Sequence, residues 1–149
     1  LVASKIAFIP HDAVRALMHK HPRIAEAFWR ESLIDASIFR EWVVNIGQRP
    51  AVARLAHVLC ELYTRMDVLG LVPDEDFALP LTQQDLGDAT GISTVHVNRM
   101  MMELREAGLV RTPRGSVVIR DWKGLREIGQ FDPAYLHLRA QLSHTHKGT

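Results

Sequence analysis

The sequence predicts a mainly α protein with a small β component, built as a long helix followed by a winged helix-turn-helix domain. Three observations carry that prediction. Leu81 to Ile119 holds two short helical patterns joined by a glycine turn, with a hydroxyl residue, Thr82 or Ser93, at the head of each. Helices joined by a turn of about three to four residues containing Gly form a helix-turn-helix, whose second helix suits the DNA major groove. Leu109-Val110 and Val117-Val118-Ile119 are β-type runs around Thr112-Pro113-Arg114-Gly115, which has turn chemistry, so a wing is expected next. Finally, no Gly or Pro interrupts Ile24 to Ile46, which allows roughly six turns of helix at ~3.6 residues per turn.

At 149 residues the chain has room for one compact domain with an appended element. No apolar run is long enough to span a bilayer, and Lys5 and Pro10 break any signal-peptide pattern, so no membrane partner is expected. Cys60 is the only cysteine, which excludes an intrachain disulfide framework and a Cys-rich zinc site. It falls on an apolar helical stripe and reads as a small buried hydrophobe; a reducing, cytoplasmic location fits. The net charge is only +1, so any case for nucleic acid rests on where the charge lies.

Taken in order, Lys5 to Pro10 (KIAFIP) reads as a strand ended by proline. With no partner strand beside it, and with the chain opening on Leu1, it is expected to be the tail of a larger upstream unit. Pro10 suits a first helical position, and Val14, Leu17 and Met18 give His11 to Lys20 helical spacing. His21-Pro22 restarts the chain into the long helix, which carries two apolar stripes. One is Ile24, Phe28, Ile34, Ile38 and Trp42, interrupted by Glu31 and Asp35; the other is Trp29, Leu33, Ala36 and Val43. Two stripes imply packing on two sides, either inside a larger domain or between an upstream domain and a second copy.

Gly47-Gln48-Arg49-Pro50 marks the boundary, with Gly47 ending one helix and Pro50 opening the next. Val52, Leu55, Ala56, Leu59, Leu62, Tyr63 and Met66 then repeat with amphipathic helical spacing, and Arg49, Arg54, Glu61 and Arg65 are assigned to the outer face. Gly70 to Asp76 reads as an acidic loop, and Phe77-Ala78-Leu79 as the edge strand of a small sheet. Thr82 and Asp85 have the spacing of a capping box. Ala89 to Ile92 makes the turn, Ser93 caps the next helix, and Val97, Met100, Met101, Leu104 and Ala107 face inward up to Gly108. Asp121 caps a last helix through Trp122, Leu125 and Ile128; Gly129 and Asp132-Pro133 break the chain, and a frayed polar end is expected from Ser143.

From Arg99 through Arg126 the cations Arg99, Arg105, Arg111, Arg114, Arg120, Lys123 and Arg126 outnumber Glu103, Glu106, Asp121 and Glu127. That stripe around a recognition helix is the electrostatic footprint of a DNA module. The second helix offers Thr94, Val95, His96, Asn98 and Arg99 near its start, where such helices meet base edges. Arg99 has the donors for guanine O6 and N7, Asn98 those for adenine or phosphate, and Val95 a surface for a thymine methyl. Thr82, Gln83 and Ser93 sit where helix N-termini meet phosphates, and Arg111 and Arg114 lie in the wing. The pairs His19/His21 and His144/His146 lack a carboxylate or thiol cluster, so no metal is assigned. No phosphate loop, HExxH or GxSxG pattern occurs, so no catalytic residue is assigned and an enzyme is not expected.

LTQQDLGDATGISTVHVNRMMMELREAGLV with its basic hairpin resembles the winged helix-turn-helix of Crp/Fnr-type bacterial transcription regulators. RPAVARLAHVLCEL is similar to the helix opening that DNA-binding domain, and IAFIP with HDAVRALMHKHP to the end of a cyclic-nucleotide-binding-like β-roll. The resemblance implies that residues 1–20 end a truncated sensory domain, 21–47 form a dimerisation helix and 48–149 the winged helix-turn-helix domain. The stripe Ile24, Phe28, Ile34, Ile38 and Trp42 would be the dimer seam. It further implies a homodimer on a pseudo-palindromic double-stranded operator, half-sites ~10–10.5 base pairs apart or a multiple, with RNA polymerase as a further partner. The sensing domain, with its unidentified effector, would lie upstream, leaving no cofactor in this chain. Thr94 and Val95 stand where the best-known members carry Arg and Glu, so their TGTGA-type half-site is not implied. Phe39 and Arg40 replace the Thr-Ser pair of cAMP-binding members, and the cysteines of iron–sulfur members are absent from this chain. The alternative, from another class, is a winged-helix scaffold that binds protein without reading DNA.

Overall fold

Helix boundaries in this chain follow its prolines, hydroxyl residues and glycines. The structure, a computed structural model, describes residues 5–72, 78–79, 81–113 and 116–138. Helices α1 (His11–Lys20) and α2 (Pro22–Gln48) begin at or just after a proline, whose fixed φ suits a first turn. α2 runs through Gly47, which therefore does not terminate it. The helix stops because Arg49 precedes Pro50: the proline ring disfavours helical backbone one residue before it, and Arg49 is extended at φ −77°, ψ 140°. α3 (Ala51–Val68) follows, then β1 (Ala78–Leu79), α4 (Gln83–Thr90), α5 (Thr94–Glu106), β2 (Val110–Arg111), β3 (Val117–Ile119) and α6 (Trp122–Gly129). A 3₁₀ turn over Pro133–Leu136 closes the described chain, its first turn capped by the Asp132 carboxylate on the Ala134 N–H.

The strands form one antiparallel sheet in the order β1-β3-β2, with Leu79 opposite Val117 and Val110 opposite Ile119. The predicted edge strand is thus present at Ala78–Leu79, while Phe77 lies outside the described residues. Lys5–Pro10 is not a strand. A strand needs a ladder partner, none reaches this segment among the described residues, and Phe8 is left 94% exposed.

α3 is the centre of the core. Leu55, Leu59 and Cys60 on it meet Leu86 of α4, Val97 and Leu104 of α5, Val117 of β3, Leu125 of α6, and Phe131 and Leu136 beyond α6. α6 approaches α3 so closely that a Cβ on Gly129 would lie 2.8 Å from the His57 nitrogen, and only glycine fits there. Ala107, expected inward, is exposed because it is the C-cap of α5 and already past the buried face.

Glu61 corrects the sequence reading most. It is 1% exposed rather than on the outer face, and Arg49, Arg54 and Arg65 beside it are half-buried. Its carboxylate accepts from Trp42 Nε1 of α2 at 2.9 Å, Tyr135 Oη of the 3₁₀ turn at 2.6 Å, and Arg65 at 2.8 Å. A buried charge persists only when paired and hydrogen-bonded, and this one is. Ile38 and Trp42, read as dimer-seam residues, make contacts within the chain. Trp42 turns toward Glu61 and Ile38 packs on the core, both within one chain. Ile24 and Ile34 are half-buried, and only Phe28 of that stripe is exposed, at 48%. The other side of α2, with Trp29, Leu33, Phe39 and Val43, is open.

Candidate nucleic-acid interface

Both helices of the turn unit are started by side chains, as their sequences require. Thr82 Oγ1 accepts from the Asp85 N–H at 3.1 Å, and Asp85 Oδ2 accepts from the Thr82 N–H at 2.9 Å, a reciprocal capping box. The Thr82 hydroxyl also donates to Asp85 at 2.7 Å. This hydroxyl first, and the Thr82 N–H second, hold the Asp85 carboxyl below the usual carboxylate range. Both Thr82 donors are thus engaged within the cap. Gly91 makes the turn in the left-handed region (φ 68°), and Ser93 Oγ accepts from the His96 N–H at 3.3 Å to start α5. Arg54 of α3 braces the turn from below, donating to the Thr90 carbonyl at 2.9 Å.

α5 is split between two faces. Val97, Met100, Met101 and Leu104 are buried, which fixes the rotation of the helix. Thr94, Val95, Asn98 and Arg99 are exposed on the opposite face, Val95 at 80%, and His96 is half-buried beside them. These residues were singled out from sequence, and the structure brings them onto one surface. Two contacts were not legible in it. Gln83 Nε2 donates to Asn98 Oδ1 at 3.3 Å, linking the two helices on their open side. Arg99 Nη2 lies 3.2 Å from His96 Nε2, one turn back, so that a neutral His96 accepts from Arg99. Arg105 donates to Thr112 Oγ1 at 3.1 Å, tying the end of α5 to the wing. Arg111 is exposed on β2, while Arg114 lies outside the described residues. The arrangement can therefore present hydrogen-bond donors, a methyl-sized apolar contact and cations along one convex edge, which is what a major groove reads.

Beneath this surface lies a second polar group that the sequence reading missed. His57 Nδ1 is 3.0 Å from the Gly129 carbonyl and Nε2 is 3.1 Å from Tyr135 Oη. Burial pushes the His57 pKa below its ordinary 6.5, against the opposing pull of the Gly129 hydrogen bond. Burial, followed by the Glu61 hydrogen bond, raises that of Tyr135. Arg54, His57, Glu61 and Arg65 recur at helical spacing on α3, so the sequence carried no local signal that Glu61 is buried.

A three-helix unit with α5 exposed, and a three-stranded sheet that includes the wing, define a winged helix-turn-helix protein. Residues 53–128 match the Crp-like helix-turn-helix domain, and the chain belongs to that family, the Crp/Fnr regulators that its sequence resembles. It is 25% identical over 108 residues to a probable transcriptional activator of Rhizobium leguminosarum bv. viciae, covering 72% of this chain and 45% of that protein. It is also 25% identical over 115 residues to the transcriptional activator protein FnrL of Cereibacter sphaeroides, covering 74% of this chain and 46% of the relative. The solved structure of FixK2 from Bradyrhizobium japonicum is similar with a TM-score of 0.70 at 20% identity, over 80% of this chain and 59% of that one, and supports the fold. The chain spans about half the length of the curated relatives it matches.

Proposed function

We propose that this chain is the DNA-reading part of a transcription regulator that binds a pseudo-palindromic operator as a homodimer. The observation that supports this best is the open face of α5. Thr94, Val95, Asn98 and Arg99 are exposed together on a helix whose rotation the core fixes. Capping uses both Thr82 donors, so phosphate contacts fall to Gln83, Ser93 and the wing arginines Arg111 and Arg114. A scaffold role is not favoured, because the face is polar apart from Val95.

The homodimer reading rests on α2. Its exposed side repeats Trp29, Ser32, Ala36, Phe39, Val43 and Ile46 in alternating steps of three and four. That spacing keeps one seam in line along a paired helix. Ser32 interrupts the seam with its hydroxyl satisfied locally, donating to the Phe28 carbonyl at 2.9 Å. This seam runs beside the stripe through Ile38 and Trp42. Double-stranded DNA, a second copy and RNA polymerase are the partners assigned, and the cytoplasm the location. Among the described residues no helix is long and apolar enough to cross a membrane. An effector-sensing domain upstream, over which residues 1–20 continue, is part of the same proposal. The role is binding rather than catalysis.

Selection of duplexes from a randomised pool by the purified chain tests the reading. An inverted repeat should be enriched, with half-sites ~10–10.5 base pairs apart or a multiple. Arg99→Ala should lose about 1–3 kcal/mol of discrimination at one base pair. A pool that yields no motif even at low salt would reject sequence-specific binding. An equal loss on all duplexes would make Arg99 a phosphate contact instead.

A further inference from the structure

We propose that Tyr135 is a positioning residue whose hydroxyl, through Glu61, locks the long helix α2 at one angle to the recognition helix α5. Glu61 is the joint of three elements. Trp42 reaches it from α2, Tyr135 from the 3₁₀ turn, and the carboxylate itself stands on α3. α2 has few other polar ties to the winged domain. Glu41 pairs with Arg49 at 2.6 Å, and Asn45 Nδ2 donates to the Arg54 carbonyl at 3.3 Å. These ties lie toward its C-terminal end, while its N-terminal half packs against α1. A lever held at one end transmits any looseness there along its length. At an α-helical rise of ~1.5 Å per residue, a tilt of about 5° moves the far end of a ~40 Å helix by roughly 3.5 Å.

The hydroxyl of Tyr135 is a suitable lock because it carries one proton and faces two acceptors. With His57 Nδ1–H donating to the Gly129 carbonyl, Nε2 is an acceptor. Tyr135 Oη is then 2.6 Å from Glu61 Oε2 and 3.1 Å from His57 Nε2. The proton goes to the closer, charged oxygen, so the strong bond is the one that reaches α2 through Glu61. The ring is held separately, stacked on His57 at 5.8 Å and edge-on to Phe131 at 6.1 Å. Removing the hydroxyl therefore leaves the segment seated and releases only the joint. The consequence for operator spacing rests on the DNA-binding homodimer reading; the angle itself does not.

The test is a pulsed electron–electron distance measurement within one chain, with spin labels at Glu26→Cys on α2 and Glu103→Cys on α5, both exposed positions. Labelled chain is diluted into unlabelled chain so that only intrachain pairs are read. Cys60 is buried with its thiol pKa pushed up to about 12 by burial, and so does not take the label. The wild-type chain should give one narrow distribution. Tyr135→Phe should broaden it and shift its maximum by several ångström, and Trp42→Phe, which cuts the joint from the α2 side, should do the same. Asp121→Ala, which removes a helix cap of about 1 kcal/mol outside the joint, should leave it narrow. A Tyr135→Phe distribution equal to wild type, a broad wild-type distribution, or equal broadening in Asp121→Ala each overturns the proposal. If Tyr135→Phe does not fold, Trp42→Phe decides. No DNA and no dimer enter the measurement, so it stands or falls apart from the operator reading.

Discussion

Glu61 accepts from an indole N–H, a phenol and a guanidinium on the buried side of α3. A carboxylate in that position costs desolvation, which its partners offset only while all of them are present. Glu61→Leu leaves Trp42 Nε1 without its acceptor, while the Tyr135 hydroxyl can turn to His57 Nε2 at 3.1 Å. The orphaned indole N–H should cost roughly 1–3 kcal/mol, whereas Arg65, being 41% exposed, can turn to water. Glu61→Gln retains an acceptor oxygen and should cost less than Glu61→Leu. Urea denaturation of the three chains checks this order. Equal stability of Glu61→Leu and wild type would show that the joint contributes nothing net. The same residue shows where sequence reading reaches its limit. Helical spacing placed Glu61 outside because its neighbours at i±4 are His57 and Arg65; the partners that bury it are 19 and 74 residues away.

At the scale of elements, what is local was legible and what is not local was not. The caps at Thr82, Ser93 and Asp121, the glycine turn and the second wing strand are encoded within a few residues and stand where the sequence put them, while the first wing strand, expected at Leu109-Val110, starts one residue later. The stripes of α2 were legible as stripes, but periodicity cannot say which one faces the chain's own core. That choice is made by Glu61 and Tyr135, far along the sequence. The strand expected over Lys5–Pro10 had the right residues and lacks a ladder partner among the described ones. The capping box gives a pH test of α4. Asp85 is an acid whose folded-state pKa is depressed, so its stabilising effect is fully present above its unfolded pKa of ~3.9 and disappears as pH falls through the folded value. Thermal melts of wild type and Asp85→Asn should therefore differ at neutral pH and converge in acid. A constant gap across that range would assign the effect to something other than the carboxylate.

Among the described residues, α2 leaves a large apolar surface open. Trp29, Phe39 and Val43 are 71%, 73% and 60% exposed along a helix whose other side packs on its own domain. A two-fold pair brings like positions together, so Phe39 on the seam would meet its own counterpart. Phe39→Glu places two carboxylates at that meeting point, and a dimer joined there should dissociate. Sedimentation at micromolar concentration should show a dimer for wild type and a monomer for Phe39→Glu, with circular dichroism unchanged because Phe39 is 73% exposed. Ile38→Ala, one residue away but turned inward, should instead cost stability and leave the dimer intact. The two variants separate the two stripes: if Phe39→Glu stays dimeric and Ile38→Ala comes apart, the seam runs through Ile38 and Trp42 after all. DNA binding supplies the consequence. A monomer carries one recognition helix, so Phe39→Glu should retain weak affinity for a half-site and lose any preference for the inverted repeat.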